Sequence, residues 1–163
     1  MVADNYKKVA HEALALLNGP DAGTDLARLC RFLRDAVGHF DWVGFYIAVP
    51  EERLLVLGPF EGEPTDHVRI PYGRGVCGQS ADREERVLVQ DVTGESNYLA
   101  CSVSTKSELV VPVMRDGAYV GQIDIDSHRV NAFSPDDEWL LDTIAERSAP
   151  LVNELSLALR KEP

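Results

Sequence analysis

Within residues 42–126 the apolar segments alternate with period two, and on both sides of that stretch the hydrophobic period is helical. That change of period constrains the fold more than any other feature. WVGFYIAV at 42–49, a turn at Pro50, Glu51 and Glu52, and RLLVLGPF at 53–60 predict an antiparallel hairpin. ELVVPVM at 108–114 and AYVGQIDID at 118–126 flank Asp116 and Gly117, a pair that tolerates left-handed backbone and so predicts a second hairpin with a tight turn. VRIP at 68–71 and VLVQD at 87–91 are candidate further strands. GRGVCGQS at 73–80 leads into a short polar helix ending near Glu85, and residues 92–107 form a long polar connection.

Val9, Ala10, Ala13, Leu14 and Leu17 fall at helical spacing over about 5–17, and Gly19 with Pro20 ends that segment. With Thr24 as N-cap, Leu26, Leu29, Cys30, Leu33 and Val37 predict a second helix over about 24–37, closed by Gly38. Ser134, Pro135, Asp136 and Asp137 supply a cap, a first-turn proline and two acids at the positive helix end. They open a C-terminal helix over about 135–160 carrying Trp139, Leu140, Ile144, Leu151 and Leu155, which Pro150 should kink. The order helix, helix, strands, helix predicts an α+β fold, with a mostly antiparallel sheet over about 41–127 flanked by N-terminal and C-terminal helices. A length of 163 residues with 45% apolar content suits one core, so residues 1–163 are read as a single domain.

Sixteen Lys and Arg against 27 Asp and Glu leave a net charge of −11, which repels phosphate backbones and anionic lipid. Nucleic acid and membrane are therefore excluded as expected partners, and a small molecule or another protein is favoured. The N-terminus alternates charged with apolar residues and has no signal-peptide run, so a cytoplasmic protein is expected, with its three cysteines as thiols.

On a strand, Asp124 and Asp126 share one face while Ile123 and Ile125 point the other way into apolar packing. Trp42, Gly44 and Tyr46 share a face by the same rule, and the missing side chain at Gly44 leaves room between two rings for a ligand floor. Aromatic faces beside carboxylates suit an ammonium group. The plainer alternative puts the two aspartates on a solvated face and Trp42 in the core. Cys101 lies in the polar connection, where a thiol could be reactive. Cys77 sits at a helix start, where the dipole would favour thiolate. Cys30, on an apolar stripe, is read as structural.

Gly73, Gly75 and Gly78 spell GxGxxG, with Asp91 after a second strand as a ribose-binding acid would be. The unit from Val68 to Asp91 is only 24 residues, too short for the usual βαβ, and Gln79 stands where a phosphate-binding loop needs lysine. Zinc has little support, because Cys77 and Cys101 are isolated and the four histidines show no ligand spacing with them.

The motifs DWVGFY, LGPF, RIPYGRGVCG, ACSVSTKSEL and GQIDIDS, in this order over Asp41 to Phe133, resemble the GAF-domain free methionine-R-sulfoxide reductases. The resemblance implies the GAF fold and reduction of free methionine-(R)-sulfoxide without a bound cofactor. It implies Cys101 as nucleophile, and Glu108, Asp124 and Asp126 as the groups that bind the amino group or protonate the sulfoxide oxygen. Trp42 and Tyr46 would frame the substrate. Cys101 would become a sulfenic acid, condense with Cys77 to a disulfide, and be recycled by the thioredoxin system. A homodimer is implied as well. Many family members carry another cysteine ten residues before the GVCG cysteine, where this chain has His67, so the resemblance leaves Cys77 as the obvious resolving thiol, with direct attack of thioredoxin on the sulfenic acid, or poor turnover, as the alternatives. The competing readings are a ligand-sensing GAF module without a catalytic cycle and a redox switch built on Cys77 and Cys101.

Overall fold

A computed structural model describes residues 1–95, 97 and 104–161. The elements are α1 (Asp4–Ala15), α2 (Ala22–Ala36), β1 (Trp42–Val49), β2 (Leu54–Glu61), β3 (Arg69–Pro71), α3 (Gly75–Arg83), β4 (Val87–Val89), β5 (Ser107–Arg115), β6 (Ala118–Ser127) and α4 (Pro135–Lys161). The six strands form one sheet in the order β3-β2-β1-β6-β5-β4, and every pairing is antiparallel.

Both hairpins form as their sequences predict. Asp116 and Gly117 adopt φ of 51° and 81°, the left-handed pair that a tight turn between β5 and β6 requires. The boundaries differ in instructive ways. The first helix closes at Ala15 with a 3-10 turn over Leu16–Asn18 instead of running to 17. The second starts earlier than Thr24, because Asp21 is the N-cap: its carboxylate accepts from the Thr24 N–H at 2.8 Å and from the Thr24 hydroxyl at 2.6 Å. At α4 the Ser134 hydroxyl accepts from the Asp137 N–H at 3.3 Å while Asp137 accepts from the Ser134 N–H at 2.8 Å, a reciprocal capping box. The helix continues through Pro150 to Lys161.

The sheet divides the interior in two. Val43, Phe45, Ile47, Leu109, Val111, Ile123 and Ile125 face α1, α2 and α4 and join Leu29, Leu33, Leu140 and Ile144 in the larger core. Truncating a side chain there, such as Ile123 to Ala, costs about 2–5 kcal/mol. The opposite face carries Trp42, Tyr46, Val110 and Tyr119 and is covered by α3 through Val76, Cys77 and Ala81. Six residues of α3 are buried, so the short helix expected from its polar sequence is largely covered. Gly78 allows it to lie this close, since a Cβ there would come within 2.6 Å of the Pro71 carbonyl. Among the described residues no helix is long and apolar enough to cross a membrane.

Candidate active site

Three carboxylates meet on the α3-covered face because of strand register. Glu108 on β5 stands opposite Asp126 on β6, and Val110 opposite Asp124. On the other side of β6, Asp126 faces Trp42 and Asp124 faces Gly44. Asp124, Asp126 and Glu108 are 0%, 1% and 1% exposed, which overturns the solvated alternative for the aspartates. Their strand neighbours Ile123 and Ile125 lie in the opposite core, as period two requires.

Three anions cannot be buried together at little cost. Burial first, then Asp124 and Asp126, raise the Glu108 carboxyl well above the usual carboxylate range. Neither Glu108 oxygen has a hydrogen-bond partner as an acceptor. A protonated Glu108 becomes a donor to the neighbouring aspartates, so a shared proton relieves the repulsion.

Cys77, in the first turn of α3, points into this group, and its thiol donates to Asp124 Oδ2 at 3.3 Å. The expectation of a dipole-lowered thiol is corrected here. Burial first, then Asp124, Glu108 and Asp126, push the Cys77 thiol well above its ordinary value. Three nearby carboxylates outweigh a helix dipole, whose effect fades within one turn. Cys30 is fully buried in the larger core, with its thiol 3.6 Å from the Pro59 carbonyl, in keeping with a structural role.

Trp42 and Tyr46 are 2% and 0% exposed, and each is tethered through its polar end to the connection between β2 and β3. The Trp42 indole N–H donates to the Glu63 carbonyl at 3.0 Å, and the Tyr46 hydroxyl to the His67 carbonyl at 2.9 Å. His67 thus contributes backbone to this wall. The ligand floor expected at Gly44 is absent, because Trp42 folds over it: a Cβ there would lie 2.3 Å from the indole and 2.9 Å from Phe60. Gly44 makes room for an aromatic stack, with Trp42 stacked on Phe60 at 5.4 Å between ring centroids. Phe60 is a member of this wall that sequence reasoning missed.

Cys101 lies outside the described residues. Asn97, which sequence reasoning also missed, ties the connection that contains it to the start of α3. It accepts from the Gly75 N–H at 2.9 Å, donates to the Gly73 carbonyl at 3.0 Å, and its carbonyl accepts from Gln79 Nε2 at 3.3 Å. Arg74, the N-cap residue, makes no side-chain cap, so Asn97 performs that service from a distant segment. The glycines of GxGxxG serve this same corner. Potential ligand atoms of Cys77, Glu108 and Asp124 lie within 4.8 Å of one another, a grouping that a search for histidine and cysteine spacing did not consider.

Residues 23–152 match the GAF-domain family. The chain is 37% identical to free methionine-R-sulfoxide reductase of Escherichia coli over 113 residues, 69% of this chain and 67% of that protein. Among solved structures, type II free methionine-R-sulfoxide reductase from Thermoplasma acidophilum is 43% identical, with a TM-score of 0.78 over 82% of this chain and 93% of that one. Free methionine-R-sulfoxide reductase from Neisseria meningitidis, solved in complex with its substrate, is 34% identical, with a TM-score of 0.84 over 98% of this chain and 96% of that one. The fold and the buried acidic site define a GAF domain. Within that class, the chain belongs to the free methionine-R-sulfoxide reductase family.

Proposed function

We propose that residues 1–163 act as one domain that reduces free methionine-(R)-sulfoxide to methionine, with Cys101 as the attacking thiolate. The observation that carries this assignment is the buried set of Glu108, Asp124 and Asp126 on one sheet face beside the Cys77 thiol. It supplies negative charge for the ammonium of a free amino acid and, at Glu108, a carboxyl shifted toward its acid form that can serve as a proton source for sulfoxide reduction. Free methionine sulfoxide carries an α-ammonium; a methionine sulfoxide inside a peptide chain has an amide nitrogen in its place.

The sulfoxide oxygen leaves sulfur only when protonated, so Glu108 or Asp126 gives a proton as the Cys101 sulfur attacks. Oxygen passes to Cys101, methionine departs, and Cys101 is left as sulfenic acid. The Cys77 thiol then attacks the Cys101 sulfur, releasing water and forming a disulfide. The dithiol of thioredoxin reduces that disulfide and returns both thiols. Trp42 forms the apolar wall for the substrate, Tyr46 braces it, and no bound cofactor takes part. We further propose a cytoplasmic homodimer.

The test is NADPH consumption with thioredoxin and thioredoxin reductase, supplied with the R and S epimers of free methionine sulfoxide and an R-sulfoxide peptide. Turnover of the free R epimer alone is expected. No turnover, together with no single-cycle release of methionine, would return the chain to the class of ligand-sensing modules.

A further inference from the structure

We propose that Cys77, Glu108 and Asp124 form a binding site for one thiophilic divalent cation of the zinc class. The three residues come from α3, β5 and β6, are all buried, and each brings a potential ligand atom within 4.8 Å of the other two. Two of these atoms are already close to ligand spacing, since Cys77 Sγ and Asp124 Oδ2 are 3.3 Å apart. Tetrahedral zinc, with sulfur at about 2.3 Å and carboxylate oxygen at about 2.0–2.2 Å, holds its ligands roughly 3.5 Å from one another. The group therefore needs only a small contraction to close on an ion.

A second observation points to a ligand. Glu108 is 1% exposed, and as acceptors neither of its carboxylate oxygens has a hydrogen-bond partner, so without an ion it is satisfied only as a protonated donor to the aspartates beside it. Ionised, such a group is costly to leave unsatisfied in a protein interior, and a cation at the centre of the three ligands would satisfy it. The donor set also chooses among metals. One sulfur with two carboxylate oxygens suits zinc and its softer neighbours. Calcium and magnesium ask for six or more oxygens and do not favour sulfur. On binding, Cys77 and Glu108 give their protons to the buffer, and the ion holds the sulfur and the carboxylate so formed.

The cation would occupy the same carboxylates that the proposed substrate ammonium uses, so cation and substrate would exclude each other. Binding itself requires no turnover, so it can be tested whatever the outcome for reductase activity.

The experiment uses the full chain, reduced with a phosphine, freed of metal by chelator dialysis, and titrated with cobalt(II) as a spectroscopic stand-in and then with zinc(II). One cobalt ion per chain is expected, with a near-ultraviolet thiolate-to-cobalt band that zinc abolishes. Cys77→Ser should lose the band, Cys101→Ser should keep it, and Glu108→Gln should weaken affinity about tenfold or more. Circular dichroism establishes that each variant is folded, and Cys77→Ala replaces Cys77→Ser if the serine variant is not. Absence of stoichiometric binding, a band that survives loss of Cys77, or unchanged affinity in Glu108→Gln would overturn the assignment.

Discussion

Cys77 Sγ lies 3.3 Å from Asp124 Oδ2, and the thiol is the donor. In the proposed mechanism this contact would couple the resolving step to the charge on the carboxylates proposed to bind substrate. After burial, Asp124 is the leading cause of the upward shift at Cys77. Asp124→Asn removes that charge and should move the Cys77 titration downward. The measurement is the pH dependence of Cys77 alkylation by iodoacetamide, read from peptide masses. An inflection that stays in place or rises would show that Asp124 does not control the thiol.

Burial first, then Asp124 and Asp126, shift Glu108 toward its acid form. Unfolding frees it to ionise at an ordinary pH, so the stability contributed by this site is complete below the ordinary carboxylate pKa. It is lost as pH rises toward the raised folded value. Glu108→Gln stays neutral and should raise the melting temperature at neutral pH, by about 2–4 °C for each kcal/mol regained. The same change should cut methionine formation about 10²–10⁴-fold and remove the alkaline decline in rate that loss of this proton would cause. A lower melting temperature with unchanged turnover would contradict both parts.

Asn97 supplies the acceptor that the start of α3 lacks, four residues ahead of Cys101 in the sequence. Asn97→Ala should destabilise the fold by about 0.5–2 kcal/mol, the usual loss for a helix cap. It should also slow Cys77–Cys101 disulfide formation more than it slows release of methionine. Rapid quenching, with methionine and free thiols counted in the same samples, separates the two steps, and equal slowing would reduce Asn97 to a purely structural residue.

Asp137 anchors α1 to the start of α4. Its buried carboxylate accepts from the Tyr6 hydroxyl at 2.7 Å, the Ser134 N–H at 2.8 Å and His39 Nε2 at 2.9 Å. Burial pulls its pKa upward, but the hydrogen bonds from His39, Ser134 and Tyr6 together outweigh burial and leave it lowered. The stability it contributes is present above the ordinary carboxylate pKa and is lost as pH falls through the lowered value. Asp137→Asn should cost about 1–3 kcal/mol near neutral pH, and less in acid. Urea midpoints of both chains, compared at about pH 7 and about pH 2.5, below the ordinary carboxylate value of about 3.9, test this; a constant difference would remove the linkage.

What could be read from the sequence follows from which interactions are local. The change of hydrophobic period, the Asp116-Gly117 turn and the Ser134 cap depend on residues a few positions apart, and all appear where expected. Asp124 and Asp126 were visible as a pair because a strand alternates. That Glu108 joins them depends on β5–β6 register, and only a family resemblance brought it in beforehand. Gly44 was misread because Trp42 is free in sequence to point anywhere on its face and chooses the vacancy that glycine leaves. Cys77 was misread because a helix start is a local feature, whereas the three carboxylates opposing its ionisation come from β5 and β6. Asn97 left no signal, since a polar residue in a polar connection has no pattern to break.

The most direct test of the central claim is a single-turnover experiment without an external reductant. Reduced wild-type chain, Cys77→Ser and Cys101→Ser are each mixed with excess free methionine-(R)-sulfoxide, and methionine is counted per chain. One equivalent from the wild type, one from Cys77→Ser with Cys101 trapped as sulfenic acid, and none from Cys101→Ser is the predicted result. A full equivalent from Cys101→Ser would contradict the account, because oxygen would then be leaving the substrate without the thiol on which the mechanism depends.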